Sequence, residues 1–544
     1  MRAVNSIDLA TAALALLGVN VLALDGAAAG PLGSSPRFQT SDRCLACHNG
    51  LIAPSGTDVS IGVAWRTSLM ANSSRDPYWQ ASVRRETLDH ASSQSAIEDE
   101  CSVCHMPIAR YHANLEGRPG QVFEHLPPGP ARSTDKEAAD GVSCSVCHQI
   151  SKDNLGTPKS FNGGFVVQGP NASGLSSEFG PFEILPGLAR VMHTSTGGFQ
   201  PARGDHIRDS ELCATCHTLI TQALGADGRE IGALPEQVPY QEWLHSEYRT
   251  QRTCQSCHMP AIQEEVPITR VLGVQRPGVA RHDFVAANFF LQRMFDRYHD
   301  ELDLSAQPQE LAAAADRTVA YLQSQAARIS LSSPRLRRQT LDVDVAVENL
   351  GGHKLPTAYP SRRAWLHLIV RDREGGTLFE SGVMNADGSI QGNENDADAK
   401  RYEPHYRQIT RPDQVQIYEA ILMDSRGAVT TGLLSSVGYL KDNRLLPHGF
   451  DKATAAPEIA VHGDARDDPA FTDQGDRVRY SINLGSAACP CPVAVELWYQ
   501  PVGYRWADNL KSYDAAEPRR FNDHYDAMAA ASATVVARAA GVAN

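Results

Sequence analysis

The alternation of apolar and polar positions predicts that the C-terminal part of the chain is built from strands. The stretch LDVDVAVENL (341–350) places an apolar residue at every second position, which is typical of a strand with one buried face. RAWLHLIVRD (363–372) has a similar character, and we expect it to pair with TLFESG (377–382). Because turn residues separate these runs, the pattern predicts an Ig-like β-sandwich. Further strand-like runs occupy 414–422, 477–484 and 493–504.

Two amphipathic helices are predicted just before these strands. Apolar residues recur at helical spacing over 285–302 and again over 307–328, where Pro308 suits a first helical turn. We expect both helices to form a connector over 285–333. A last, Ala-rich helix is predicted over roughly 516–539, packed on the sandwich. The expected apolar face of the first helix consists of Phe289, Phe290, Met294 and Phe295.

Residues 31–284 contain little periodicity of either kind. Stretches such as 151–165 and 169–182 are rich in Gly, Ser, Asn and Pro. So much irregular chain is unusual in a compact domain unless something other than side chains fills the core. We expect short helices, long loops and almost no sheet here. The predicted protein is therefore multidomain. It has an irregular, mostly α region (31–284), called the motif region after the repeats described below, then the helical connector, and an all-β region (334–544) with a C-terminal helix, called the β region.

Residues 1–30 predict an export signal. Arg2 precedes an apolar run from Leu9 to Leu24, and small residues lead to Gly30. The charged N-terminal segment of this signal is weak, so an uncleaved membrane anchor is the alternative. We expect the protein to associate with a membrane only in that case. No later run has the roughly 18 apolar residues of a membrane span. We therefore expect the remaining chain outside the cytoplasm, in a bacterial periplasm or otherwise exported.

Composition excludes one class of partner. Hydrophobic residues make up 42% and charged residues 21%, which is ordinary for a globular protein. The formal net charge is −13, and no basic stripe is present, so nucleic acid is not an expected partner. An acidic chain suits docking to basic partner proteins.

The motif Cys-x-x-Cys-His occurs five times and uses ten of the twelve cysteines. Two thiols at this spacing can each add to a vinyl group of one porphyrin, and the adjoining histidine can bind its iron. Zinc is the competing metal ion. A structural zinc site needs four protein ligands, whereas each motif offers three, and an odd number of motifs cannot share zinc ions in pairs. The motif region thus predicts five covalently attached c-type haems, which also supply the missing core. The attachment cysteines are Cys44, Cys47, Cys101, Cys104, Cys144, Cys147, Cys213, Cys216, Cys254 and Cys257, and the proximal ligands are His48, His105, His148, His217 and His258.

The sixth ligand decides whether an iron only carries electrons or also binds a substrate. Eight further histidines lie in residues 31–300, more than five haems need. His90 and His125 are weaker candidates, and His299 lies among charged residues. Met70 competes for the first haem, although the residues alone favour a core role for it. The candidate distal histidines are His112, His193, His206, His245 and His282.

Three other residues stand outside the motifs. Cys489 and Cys491 are two positions apart, where a disulfide would be strained, so we expect a turn with small or loosely paired thiols rather than a bridge. His353, in GGHKLPT, could cap a haem from the β region. The residues favour a different interpretation, in which His353 is a structural hydrogen bonder in a loop.

Several stretches resemble a group of bacterial multihaem cytochromes of the c-552/c-554 class. They are SELCATCHTL, LPEQVPYQEWLHSEY, CQSCHMP and RHDFVAANFFL in the first half, and GGHKLPTAYPSRRAWLHLIVRD with ELWYQPVGYRWADNL in the second. The resemblance covers roughly residues 40–525. It implies an electron carrier, supports Met70 in SLMANSSRDPYW as a ligand, and favours His206, His245 and His282 as distal ligands.

Two functions remain open from the sequence. The first is electron transfer by a pentahaem cytochrome between unidentified donor and acceptor proteins. The alternative is an oxidoreductase acting on a small nitrogen or sulfur compound at one open haem, with acid–base groups beside it. The β region could also dock a partner, which is compatible with the first function. The surplus of histidines favours electron transfer, so an enzyme is not the expected outcome.

Overall fold

The computed structural model describes residues 38–126, 135–487 and 489–543. The predicted export signal or anchor at 1–30 lies outside the described residues. Among the described helices, none combines the length and the apolar character that a bilayer crossing requires.

Two five-stranded sheets and a three-stranded sheet dominate the second half of the chain. The first sheet has the order β10-β15-β7-β5, with β6 also paired to β7, and the second has the order β11-β8-β16-β17, with β9 paired to β8. The third has the order β13-β12-β14. The strands are β5 (Ala327–Leu331), β6 (Arg335–Arg337), β7 (Thr340–Asn349), β8 (Arg363–Arg371), β9 (Thr377–Ser381), β10 (Gln408–Ile409), β11 (Ile417–Tyr418), β12 (Ala420–Asp424), β13 (Val429–Thr430), β14 (Ser436–Asp442), β15 (Asp476–Asn483), β16 (Cys491–Gln500) and β17 (Thr534–Ala543).

The core lies between the two larger sheets. Burial alternates strictly along β7, so its apolar positions all point to one side, as the period-two pattern predicted. These side chains share one apolar cluster with the inward residues of β8 and β16. The predicted pairing of β8 with β9 is confirmed. The β region is therefore two-layered, while its assignment to the Ig-like class stays a prediction. Core members include Val343, Val345, Val347, Leu366, Leu368, Val370, Val493 and Val495.

Short helices carry most of the remaining regular structure. Both connector helices are confirmed, as α12 and α13, and α12 buries its predicted aromatic face. The helices are α1 (Asp42–Leu45), α2 (Ile61–Arg66), α3 (Pro77–Asp89), α4 (Gln94–His105), α5 (Pro107–Leu115), α6 (Lys136–Ala139), α7 (Cys144–Gln149), α8 (Pro186–Thr196), α9 (Ser210–His217), α10 (Pro239–Leu244), α11 (Cys254–His258), α12 (Phe289–Arg297), α13 (Pro308–Gln325), α14 (Glu394–Ala397), α15 (Tyr504–Leu510) and α16 (Ala516–Asp526).

Two expectations about regular structure were wrong. The motif region contains a parallel pair, β1 (Ser176–Gly180) with β2 (Phe199–Arg203), and an antiparallel pair, β3 (Leu219–Leu224) with β4 (Glu230–Gln237). The C-terminal helix ends at Asp526 instead of continuing to 539, and the following residues form β17 along β16. In both places pairing with a neighbouring strand decides the conformation, and Ala-rich or Gly-rich sequence carries little signal of it.

The expectation of small or loosely paired thiols, without a bridge, at the start of β16 was also wrong. Cys489 and Cys491 form a disulfide, and their Cα atoms lie 4.5 Å apart. That separation is within the range that a disulfide can span, so closeness in sequence did not prevent the bond.

The motif region and the β region are joined by direct contacts. Strand β4 packs on β14, where the hydroxyl of Tyr439 donates to the carbonyl of Pro235 at 2.5 Å. Helix α3 packs on α16, and Arg84 pairs with Glu517 at 2.8 Å. The two halves are thus fixed relative to each other.

A buried ionic network reinforces this junction. Asp442 lies 2.7 Å from Lys354 and 2.8 Å from Arg444, and Arg444 also pairs with Glu242 of α10 at 3.0 Å. Burial would raise the pKa of Asp442, but the charges of Arg444 and Lys354 together hold it well below its usual range. The carboxylate therefore stays ionised inside the protein.

Asp442→Asn should lower the free energy of unfolding by about 3 kcal/mol, because it removes the ion-pair partner of the buried Lys354 and leaves Arg444 with Glu242 alone. Denaturant unfolding followed by circular dichroism measures the change. The matched control is Asp413→Asn, since Asp413 and Arg411 form an exposed ion pair with a separation of 3.0 Å. The control should cost less than about 1 kcal/mol. Equal losses in both variants would contradict the role given to the network.

Candidate metal centres

The five Cys-x-x-Cys-His motifs lie on short helical turns. Four of them end or fill a helix, in α4, α7, α9 and α11. The first begins within α1 and continues past its end, where the amide of His48 still donates to the carbonyl of Cys44 at 3.1 Å. Residues i, i+3 and i+4 of a helix share one face, so both thiols and the imidazole of each motif point the same way. All ten thiols are free and partly buried.

Four motif histidines use the same ring nitrogen in the same way. A carbonyl oxygen can only accept a hydrogen bond, so each bonded Nδ1 carries the proton and Nε2 keeps a free lone pair. A backbone bond at one ring nitrogen is the usual way in which a metal-binding histidine is oriented. The bonds are His48 to Ile268 O at 2.5 Å, His105 to Ser73 O at 3.1 Å, His148 to Phe179 O at 2.6 Å and His258 to Val285 O at 2.6 Å.

Burial keeps these rings neutral. It lowers the pKa of His105 and of His258 to about 4, and it lowers the pKa values of His48, His148 and His217 as well. A neutral imidazole has the lone pair that a metal ion requires. The motif histidines are therefore prepared as metal ligands before any metal binds.

Two motif histidines each face a second imidazole. The ring centres of His148 and His282 lie 6.4 Å apart, with planes 17° from parallel. Those of His258 and His353 lie 6.2 Å apart, with planes 11° from parallel. His282 and His353 also donate through Nδ1 to a backbone carbonyl, at 3.1 Å to Ala280 and 2.9 Å to Lys354. In both pairs the unprotonated nitrogens remain available for one shared ion.

The other predicted distal histidines have different surroundings. The Nε2 atom of His206 bonds to Ile150 O at 2.9 Å, and that of His245 bonds to Asp451 O at 2.9 Å. His112 donates through Nδ1 to Glu137 at 2.8 Å, which leaves its Nε2 for a ligand role. His193 is exposed on α8. The assignment of these four residues as ligands stays a prediction.

Met70 and His299 are two further residues weighed from the sequence. Met70 is partly buried, and its carbonyl accepts from the amide of Val142 at 2.9 Å, two residues before the third motif. The structure therefore places Met70 next to a haem-attachment motif. In His299, both ring nitrogens are hydrogen-bonded, to Asp300 and to Ala306 O. His299 has no free nitrogen for a metal.

The five motifs are packed against one another. The thiol of Cys44 in the first motif neighbours that of Cys144 in the third. In the same way Cys216 of the fourth motif neighbours Cys104 of the second, and Cys213 neighbours Cys254 of the fifth. The thiols of Cys147 and Cys216 interact through their charges, which links the third motif to the fourth. The attachment points thus form one continuous group.

Two motif histidines have unusual neighbours. The ring of His105 stacks on Trp79, with centres 4.3 Å apart and planes 3° from parallel. At His217, burial and then the positive charge of Arg362 lower the pKa of the imidazole. Within 38–126, 135–487 and 489–543, no second imidazole is stacked opposite either ring.

These residues fit a covalently attached haem at each motif. The fit rests on the paired free thiols, the adjacent neutral imidazole and, at two motifs, a second imidazole across an ion-sized gap. A zinc site needs four protein ligands around one ion, and among the described residues no three motif thiols or imidazoles have ligand atoms within 4.8 Å of one another. The donor sets match a porphyrin iron better than a bare ion.

Comparison with known proteins supports this class of fold. No protein-family model matches the chain, and no curated protein sequence is similar to it. The fold is similar to the crystal structure of a penta-haem cytochrome c552 from Thermochromatium tepidum, with a TM-score of 0.52 and 14% identity. The alignment covers 94% of this chain and 100% of that one. The chain therefore shares the fold of that cytochrome.

His353 is the residue whose position the sequence did not predict. The GGHKLPT stretch marked it as unusual, but pairing with His258 joins positions 95 residues apart across two regions of the fold. A glycine pair beside a histidine in a β-rich region was the only local signal. The preferred interpretation as a loop hydrogen bonder does not account for the facing rings.

Proposed function

We propose that this chain is an electron-transfer protein that carries five covalently attached haems and passes electrons between redox proteins outside the cytoplasm. The observation that carries the proposal is the facing pair His148 and His282, two neutral imidazoles aligned on a motif. Two histidine ligands close an iron to substrate and favour electron transfer alone. When bound, haem supplies a one-electron couple between ferric and ferrous iron.

The residues of the chain contribute position and protection. The carbonyls that accept from motif Nδ1 atoms fix the orientation of each imidazole and raise its basicity. The packing of the five motifs keeps the redox groups close together, which rapid electron transfer requires. The side chains of His105, His148 and His258 are partly buried, which limits the access of water to them.

The partners that suit this function are other redox proteins. The net charge of −13 favours a basic docking surface on the donor or acceptor. An exported location is supported by the covalent attachment motifs and by the predicted signal at 1–30.

A second candidate function is reduction or oxidation of a small nitrogen or sulfur compound at the fourth motif. It is favoured by the surroundings of His217, where burial and then the positive charge of Arg362 lower the pKa of the imidazole and, among the described residues, no second imidazole is stacked opposite the ring. A guanidinium is suited to holding a small anion near an open iron. Tyr359, with a pKa raised well above its usual value by burial, lies in the same loop.

A pyridine haemochrome assay on the mature protein should give five haems per chain, because each motif has two free thiols and one neutral imidazole. The matched control is Cys213→Ser with Cys216→Ser, which should give four. A wild-type value below five would contradict the proposal directly.

His282→Ala should convert one of five ferric haems from low-spin to high-spin, since the third iron loses its sixth ligand. Electron paramagnetic resonance measures the change. His299→Ala is the matched control, because both nitrogens of His299 are hydrogen-bonded and none is free for iron. If both variants keep the wild-type spectrum, His282 is not a ligand.

Cyanide separates the two functions. In an electron carrier with every iron six-coordinate, cyanide should leave the visible spectrum of the ferric protein unchanged. A high-spin signal that cyanide removes would favour the oxidoreductase, and Arg362→Ala should then weaken cyanide binding by about tenfold through the lost charge.

A further inference from the structure

We infer that His353, a residue of the β region, is the sixth ligand of the iron held by His258 in the fifth motif. The inference rests on the proposed function, since it requires a haem at that motif. It makes the β region a part of the redox unit instead of an appended domain. The ligand class is a neutral imidazole donating through Nε2.

The facing rings of His258 and His353 have the geometry of two ligands on one ion. Their centres are 6.2 Å apart and their planes are 11° from parallel, close to the 6.4 Å and 17° of His148 and His282. A bond between a metal and an imidazole nitrogen is about 2 Å long. Two such bonds in line, with half of each ring added, account for the observed separation.

The backbone on both sides of His353 is held in place. The side chain of Asn349 donates to the carbonyl of His353 at 2.7 Å and to that of Leu445 at 3.0 Å. The amide of Lys354 donates to Glu242 of α10 at 3.1 Å. Hydrogen bonds to side chains of both the β region and the motif region therefore fix the position of His353.

The loop also fits closely against the motif region. The hydroxyl of Tyr248 donates to the carbonyl of Leu350 at 3.0 Å. A Cβ added at Gly352 would lie 3.2 Å from the Cβ of Tyr248, tighter than side chains usually allow. Glycine at this position lets the loop approach the helix that precedes the fifth motif. The close approach is what brings His353 opposite His258.

A purely structural role explains less of this arrangement. The ring of His353 bonds through Nδ1 only to the carbonyl of the next residue, Lys354, and so ties no distant segment. Its Nε2 meets no hydrogen-bond partner among the described residues. The charge network of Glu242, Arg444, Asp442 and Lys354 already joins the two regions without it. The ring of His353 instead supplies Nε2 as an atom that can bind a metal ion.

The test uses the full-length, haem-loaded protein and the variant His353→Ala. The haemochrome count should stay at five, while one of five ferric haems becomes high-spin, and added imidazole should return it to low-spin. In the double variant with His282→Ala, two of five should be high-spin, because the two histidines serve different irons. His367→Ala is the control, since its ring bonds to Glu380 at 2.9 Å on the outer face of β8.

His353→Met tests the same ligand position without leaving it empty. The thioether should keep the iron six-coordinate and raise the midpoint potential of one haem, because methionine stabilises ferrous iron. This variant also decides the question if His353→Ala fails to accumulate. Five haems with unchanged spin states in the alanine variant, or unchanged potentials in the methionine variant, would overturn the inference. Fewer than five haems in the wild type would instead overturn the proposed function.

Discussion

A hydrogen bond from histidine Nδ1 to a backbone carbonyl is the interaction on which the metal centres depend. It recurs at His48, His105, His148 and His258, and each time it fixes the tautomer and leaves Nε2 with its lone pair. The acceptor carbonyls come from distant segments, such as Ile268 for His48. Loops without helical or strand periodicity thus have a structural role, because their backbone carbonyls orient the histidine ligands.

The β region has a core of its own, and the motif region does not have a comparable one. Alternating strands such as β7 and β8 bury Val345 and Leu368 in one large cluster, whereas apolar clusters around the motifs are small. Covalent haems would fill the gaps that the loops enclose. The two regions meet through buried charges, and Glu242 with Arg444 places an ion pair at the boundary where His353 also lies.

The surroundings of four of the five motif histidines differ in what lies opposite or beside the ring. His148 and His258 face a second imidazole, His105 stacks on Trp79, and His217 is influenced by Arg362. Different sixth ligands give haems different potentials. A graded series of carriers follows if the unpaired motifs take other ligands, and an open site follows if one of them takes none.

The sequence by itself predicted the attachment chemistry, and it determined the two connector helices and the strands with strict alternation. Each of these is local: a motif lies within five residues, and the face of α12 or β7 repeats every few positions. Tertiary structure alone decided the pairing of His258 with His353, the conformation of β17, and the strands beside the motifs. The pairing of His258 with His353 and that of β16 with β17 join residues far apart in the chain, so no short window of sequence contains both partners. The disulfide between Cys489 and Cys491 was missed for a different reason, because whether two near thiols bond depends on the exact backbone path between them.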